Sequence, residues 1–342
     1  MLLYEPCQEA TLIPVPQPIL DSLSRAFGAQ ADLLSHFGGG REDSDGVVYA
    51  YPYQDRQRLL KIMAIPTEGE QRGLFCFEER VRFMRFLGER GARIAFPQLS
   101  PQGNLYETAR SDSHLWVGYS MEIMPGNPPK WDAWDSELFR QWGQTVGLLH
   151  RLTREYPSWE SSLEPVTGAA LLTWREEWEG FHQWCQDEEV KAKWLEIRQQ
   201  LEMLPVKREL FGFIHNDPHN QNLLYDGAHI TMLDFDVANH HWFITDIAIA
   251  CQSVLFSQSG GMHQPVHHRD KLIGFLGFFL EGYEREHHLP SEWLDRLDLF
   301  IAYRRILLFI AMYGWVSSKP EIHAAWKEMI LSEPEVVGRL TR

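Results

Sequence analysis

"FIHNDPHNQNLLYDGAHITMLDFD", residues 213–236, sets aspartates, asparagines and histidines between two apolar strips. Three readings compete for it: a solvated loop, a metal site or a catalytic loop. His215 stands two positions before Asp217, four residues separate Asp217 from Asn222, and Asp234 follows Asn222 by twelve positions at the end of an apolar strand. Between Asn222 and Asp234, "NLLYDGAHITML" reads as a hairpin turning at Asp226-Gly227. A hairpin brings its far ends together, so Asn222 and Asp234 are expected side by side. Magnesium wants oxygen ligands and usually takes only one or two from protein, the rest from water and phosphates. Asn222 and Asp234 offer one neutral and one anionic oxygen, and Asp217 is left to accept a hydroxyl proton. Clusters of this composition are commonly turns whose side chains cap backbone groups. The second aspartate beyond a hairpin favours the catalytic reading. Zinc would need three or four converging ligands, so the histidines are not read as a zinc site.

Upstream of this stretch, "PILDSLSRAFG" has helical spacing and stops at Gly28. "LLSHFGGGREDSDGVVYAYPYQDRQRLLKIMAIP" reads as a strand, a glycine turn, a second strand, a polar turn and a third strand. A helix over 74–90 follows, closed by Gly91, and strand signal returns in "NLYETA" and "LWVGYSMEIM". Residues 1–124 are therefore expected to form a strand-rich lobe with one long helix. "PGNPPKWD" reads as a hinge or linker. Residues 125–342 are expected to be mainly helical, over about 136–154, 170–203, 266–287 and 291–317, with the opening stretch among the helices as short strands and loops. The expected fold class is α+β.

Taken in order, "HNDPHNQNLL…ITMLDFD" resembles the catalytic region of the aminoglycoside phosphotransferase and choline kinase-like family, which shares the protein-kinase fold. His219 matches that family's H-x-D-x-H-x-x-N form. Asp246, in "WFITDIAIA", matches the aspartate that braces the family's catalytic loop. The resemblance implies a bilobal protein-kinase-like fold and a phosphotransferase using ATP, or GTP, with Mg2+. It implies Asp217 as catalytic base with His215 and His219 in the same loop, His215 holding it, and Asn222 and Asp234 as magnesium ligands. Asp236 either touches a second ion or holds the turn.

The first lobe should then supply a phosphate cover and a phosphate-binding lysine. Gly39, Gly40 and Ser44 in the glycine turn are candidates for the cover, where backbone N–H groups approach phosphates. The run is not a Walker A motif, and a plain hairpin turn remains open. Lys61 is the lone charge in the apolar strand "RLLKIMAI". Its acidic partner is expected at Glu79, which shares a helical face with Phe83 and Leu87, whereas Glu78 shares its face with Arg82. Alignment on Leu87 and Gly91 would instead put the family acid at Arg80. By fold analogy, Glu122 to Met124 meet the adenine and Leu224 lies beneath it.

Only twelve positions separate Asp234 from Asp246, too few for a phosphorylatable activation segment. The expected acceptor is a hydroxylated small molecule: an amino alcohol, a hydroxy amino acid, a sugar or an aminoglycoside-like compound. A stress-response-type Ser/Thr protein kinase and a catalytically silent nucleotide-binding protein are the alternatives. In "LLTWREEWEGFHQWCQDEE", Trp174, Trp178, Phe181 and Trp184 or Cys185 fall at helix-stripe spacing. They read as a core-facing stripe with a solvated acidic face, against a cage of rings and carboxylates for a cationic amine. Tyr303, Arg304 and Arg305 interrupt an apolar helix, where an arginine can pair with the acids of the catalytic lobe or with a substrate carboxylate. The paired histidines (His240/His241, His267/His268, His287/His288) read as polar surface.

A formal charge of -15 argues against a nucleic-acid backbone or an anionic membrane as main partner. Four scattered cysteines without a CxxC pair read as reduced thiols. With no secretion signal and no uninterrupted apolar span, the protein is expected to be soluble and cytoplasmic, a monomer or homodimer.

Overall fold

The computed structural model describes residues 15–40, 46–129, 135–156, 174–259, 269–332 and 335–338. Ser44, Cys7, His267 and His268 lie outside the described residues. The chain divides into two compact units, one holding 15–126 with Thr231–Asp236, the other 127–230 with 237–338. No described helix is long and apolar enough to cross a membrane.

The first unit opens with α1 (Gln17–Ala26), which starts on a proline turn and buries Ile19 and Leu23. An antiparallel sheet follows, in the order β1 (Ser35–Gly39), β2 (Val47–Tyr53), β3 (Arg56–Pro66), β6 (His114–Glu122), β4 (Pro97–Gln98), with β5 (Glu107–Arg110) also on β6. β3 is buried continuously from Leu59 to Ile62. Successive side chains of a strand point to opposite faces. Leu60 and Ile62 join Leu23, Phe27 and Trp116 in one core, each worth roughly 1.5–3 kcal/mol when fully buried. Lys61 therefore points to the other face. α2 (Glu70–Glu89) begins four residues earlier than its apolar spacing suggests, and Gly91 follows it at φ 87.

In the second unit, α3 (Ser136–Thr153) and α7 (Arg269–Tyr283) approach backbone to backbone: a Cβ on Gly143 would stand 1.8 Å from the Phe279 carbonyl oxygen, and one on Gly282 1.9 Å from that of Arg140. The single helix expected to 203 is two, α4 (Trp174–Trp184) and α5 (Glu188–Glu202). Asp187 caps the second by accepting from the Glu189 and Val190 N–H groups, an interaction worth ~1 kcal/mol that favours a fresh start over continuation. On α4, Trp174, Trp178 and Phe181 are buried, and Cys185 rather than Trp184 continues the stripe. β7 (Phe211–Ile214) and β10 (Asn239–Trp242) pair antiparallel and are buried on both faces. β8 (Leu223–Tyr225) leads to the Asp226–Gly227 turn, where Asp226 accepts from the Ala228 and His229 N–H groups. Beyond the turn comes β9 (Ile230–Met232). α6 (Ile244–Ser259), α8 (Ser291–Leu294), α9 (Leu297–Ala311), α10 (Tyr313–Ser317) and α11 (Pro320–Ser332) complete the chain, so the helix expected over 291–317 is broken into three.

The histidines expected at the surface are largely inside. His240 and His241 are fully buried because β10 has no solvent face, and His287 is buried too, while His288 is exposed. His241 stacks on Tyr303 and shares a 2.5 Å hydrogen bond with the Thr245 hydroxyl. Burial pushes its pKa down to about 3, so it is carried as the neutral imidazole. Cys185 and Cys251 are buried and Cys76 half-buried, and none of these three is in a disulfide.

Candidate active site

In the first unit, Lys61 lies opposite Val48 on one side and Tyr119 on the other. Its Nζ donates to Asp234 Oδ1 at 3.2 Å and to Asp236 Oδ2. Burial alone would favour loss of the proton, but the Tyr119 oxygen and the two carboxylates outweigh it and raise the lysine pKa, keeping Lys61 charged. Both carboxylates come from the segment 231–236. Met232 ties that segment down, donating to the Arg93 carbonyl at 2.9 Å and accepting from the Ala95 N–H at 3.2 Å. Asp234 stands at φ 61, a left-handed backbone costing of order 1 kcal/mol for a non-glycine residue. Phe235 anchors the bend by packing its ring against Phe83, leaving the aspartates on either side directed at Lys61.

Glu79 is buried, as its helical face implies, but it is not the partner of Lys61. It ion-pairs with Arg82 at 3.6 Å, one turn further along α2, and the strand-end aspartates satisfy the lysine instead. An acid on the same helix as an arginine has a partner at no cost in loop closure, whereas Lys61 is reached directly from 234 and 236. Glu78 takes the Tyr106 hydroxyl and Arg82. In the glycine turn, Gly39 and Gly40 stand at φ 67 and 78, and Gly40 N–H donates to the Gly46 carbonyl at 2.8 Å. A Cβ on Gly39 would lie 2.2 Å from that oxygen, so only glycine fits. Glu122 ends β6 in an ion pair with Arg56 at 3.1 Å, and Met124 is partly buried.

In the second unit, Asp217 follows directly on β7 through His215 and Asn216. Asp246, in the first turn of α6 and fully buried, accepts the main-chain N–H of His215 at 3.2 Å and of Asn216 at 2.9 Å. His150 Nε2 donates to the same carboxylate at 3.1 Å and is itself bonded through Nδ1 to the Tyr283 hydroxyl. Asn216 takes φ 65, the second strained residue in these two clusters. Asp217 Oδ1 receives Arg304, from α9. Its Oδ2 faces His219 Nε2 at 3.3 Å and Asn222 Nδ2 at 3.4 Å. The Gln221 N–H donates to His219 Nδ1, which places the histidine proton on Nε2, toward Asp217. Burial would raise the Asp217 pKa, but Arg304, His219 and His215 overcome it and hold the carboxyl down to about 2. Leu224 is partly buried on β8, after the fully buried Leu223, and neighbouring Tyr225 exchanges two backbone hydrogen bonds with Asn127.

Residues 55–289, more than half of the chain, match the model of the phosphotransferase enzyme family. The chain belongs to that family. The amicoumacin kinase of Bacillus subtilis (strain 168) is 26% identical to this phosphotransferase over 280 residues, covering 78% of this chain and 77% of the relative. Among solved structures, amicoumacin kinase hAmiN in complex with AMP-PNP, Ca2+ and Ami is similar with a TM-score of 0.80 at 21% identity, over 95% of each chain. A microcompartment-associated aminopropanol kinase is similar with a TM-score of 0.66 at 18% identity, over 93% of this chain and 98% of that one. The fold is thus that of the kinase-like phosphotransferases, as the resemblance in the catalytic stretch implied.

For a phosphotransferase, the donor atoms suit a magnesium–nucleotide. Both hydrogen bonds of Asn222 Nδ2 go to Asp217, 2.9 Å to its carbonyl being the shorter, which turns the amide oxygen away from them. The Asp234 side chain stays 49% exposed despite its contact with Lys61. Each is an oxygen of the kind that magnesium takes from protein when water and phosphates supply the rest.

The phosphotransferase holds one further acid that sequence reading placed on a solvated face. Glu177 on α4 is half-buried, and its carboxylate accepts from Tyr303, Asn216 and Asn239. Its spacing carried the signal: Glu177 is three residues after Trp174 and four before Phe181, on the buried stripe rather than opposite it.

Proposed function

We propose that this phosphotransferase moves the γ-phosphoryl group of ATP, with Mg2+, to a hydroxyl of a small molecule. The observation that carries the reading is the Asp217 carboxylate, ionised and aimed by Arg304 and His219 on a loop whose backbone Asp246 holds. Mg–ATP, when bound, supplies the transferable group and the metal charge that offsets its phosphates. Lys61, fixed in charge, would bind phosphate; Asn222 and Asp234 would each offer magnesium an oxygen, and Asp236 keeps Lys61 in place. In the first unit, the glycine turn at Gly39 and Gly40 would cover phosphates and the main chain of Glu122 to Met124 would receive the base; in the second, Leu224 is the apolar candidate for it.

Asp217 at a pKa of about 2 is too weak a base to strip a proton from a free hydroxyl. It accepts the hydrogen bond of the acceptor hydroxyl, orients its oxygen, and takes the proton late, as bonding to phosphorus advances. Catalysis is then positioning and charge neutralisation without a covalent enzyme intermediate. The similarity to amicoumacin kinase and aminopropanol kinase supports a hydroxylated compound bearing an amine as acceptor.

The test is a screen for acceptor-dependent ADP release over amicoumacin, amino alcohols, hydroxy amino acids, sugars and aminoglycosides. At least one should support turnover in the native chain and none in Asp217→Asn. Labelling of a protein under radiolabelled ATP, with every small molecule inactive, would move the reading to a protein kinase.

A further inference from the structure

Glu177 is not one of the residues that a phosphoryl-transfer site requires, yet three donors from three elements converge on its carboxylate. Tyr303 of α9 donates to Oε1 at 2.7 Å; Asn216, before Asp217, and Asn239 of β10 donate to Oε2 at 2.8 and 3.2 Å. The Asn216 contact is the informative one. Asn216 holds a left-handed backbone, and a residue in that region persists only when its surroundings over-determine it. Its main-chain N–H is held by Asp246, and its side chain is held from elsewhere, by Glu177 and by the Val237 carbonyl at 3.1 Å. The next peptide carries Asp217, so a rotation at Asn216 displaces the Asp217 carboxylate. The array also closes on itself through α9, where Tyr303 binds Glu177 and the adjacent Arg304 binds Asp217.

We propose that Glu177 is a positioning residue for phosphoryl transfer, acting through Asn216 to fix where the Asp217 carboxylate stands. It touches no reacting atom in this scheme. The proposal rests on the reading of Asp217 as the residue that receives the acceptor hydroxyl, and it adds a helix, α4, to the parts that determine turnover. A misplacement of about 1 Å at a catalytic group costs on the order of a hundredfold in rate, so a structurally mild substitution here should be kinetically visible.

The experiment is a double-mutant cycle in steady-state turnover, with ATP binding followed in parallel by thermal shift. Glu177→Ala should lower kcat by about ten- to a hundredfold while KM for ATP moves less than about threefold. Glu177→Gln should recover most of the loss, since its carbonyl still accepts from both asparagines and its amide donates to the Tyr303 oxygen. In an Asn216→Gly background, where Glu177 has lost its handle on the loop and glycine holds the left-handed backbone without strain, Glu177→Ala should cost less than about twofold further. If Glu177→Ala does not fold, Glu177→Asp, which keeps the charge but draws it back by one methylene, carries the same cycle. Full additivity with Asn216→Gly, or no loss of kcat in a folded Glu177→Ala, overturns the proposal. Asp217→Asn is run alongside: if it retained full transfer, the reading of Asp217 would fall instead, and the two failures are separate.

Discussion

Lys61 is fixed by a sheet and Asp217 by a loop, and the two clusters depend on different things. Lys61 occupies a ladder position between β2 and β6, where main-chain bonds that any residue makes determine its place. Its neighbours matter through charge, with Asp234 and Asp236 offsetting the burial of the ammonium. Asp217 has no ladder on either side. Its position depends on named side chains, with Asp246 on the backbone N–H groups, Glu177 on Asn216, and Arg304 and His219 on the carboxylate itself. A loop positioned in this way should lose activity before stability when a supporting residue changes, and a sheet position should do the reverse.

The largest effect expected is at Asp217. Asp217→Asn should lower kcat about a thousandfold, with KM for ATP nearly unchanged, measured in steady state with the acceptor found in the screen. A loss of only a few-fold would break the comparison, because the loop would then be positioning nothing of consequence. Next comes Lys61→Met, which should reduce kcat/KM for ATP about a hundredfold. It removes the ammonium that Asp236, with a side chain only 12% exposed, contacts, and a destabilisation of about 2 kcal/mol in urea titration is expected.

The sharper contrast pairs two buried residues that touch no substrate in the proposed mechanism. Leu60→Ala, in the first unit's core, should cost about 3 kcal/mol of stability with kcat per folded molecule little altered. Asp246→Asn should lower kcat about tenfold, since the His215 and Asn216 N–H groups bond to different oxygens of the carboxylate, and an asparagine keeps one oxygen and turns an NH2 donor toward the other N–H. Equal kinetic losses in the two variants would remove the distinction.

The smallest effect is one of pH. His241 and His287 are both held down to about 3 by burial, below the ordinary value near 6.5. Between those values the unfolded chain binds a proton that the folded chain does not, so stability is full above about pH 6.5 and falls as pH drops toward 3. The slope is roughly 1 kcal/mol per pH unit for each histidine, read from denaturation midpoints between pH 7 and 5. His241→Phe should flatten part of that slope.

How far the sequence reached differs between the same two regions. Spacing alone was enough for the strand carrying Lys61, the hairpin turn at Asp226–Gly227 and the buried stripe of α4, because each is a local period or a dipeptide with a fixed backbone preference. The order His215, Asp217, His219, Asn222, Asp234, Asp246 carried the reaction type, since phosphoryl transfer needs few residue kinds in a set order along the chain. Helical spacing placed Glu79 in the interior without saying whom it would meet, and the i, i+3 arginine was the competitor that the face argument overlooked. The buried histidines were missed for the same reason: polarity predicts a surface, and only the closure of β10 against β7 and the helices around it removes one.

By itself, then, the sequence determined the α+β class through local periodicity, and the kinase-like fold, the chemistry and the residues on offer through the family resemblance of one catalytic stretch. Tertiary structure alone decided the pairings: Lys61 with Asp234 and Asp236, Arg304 with Asp217, Glu177 with Asn216. These join positions from 39 to 175 residues apart. No local pattern encodes them, because which of several nearby charges a buried group meets depends on packing that the whole chain must first complete.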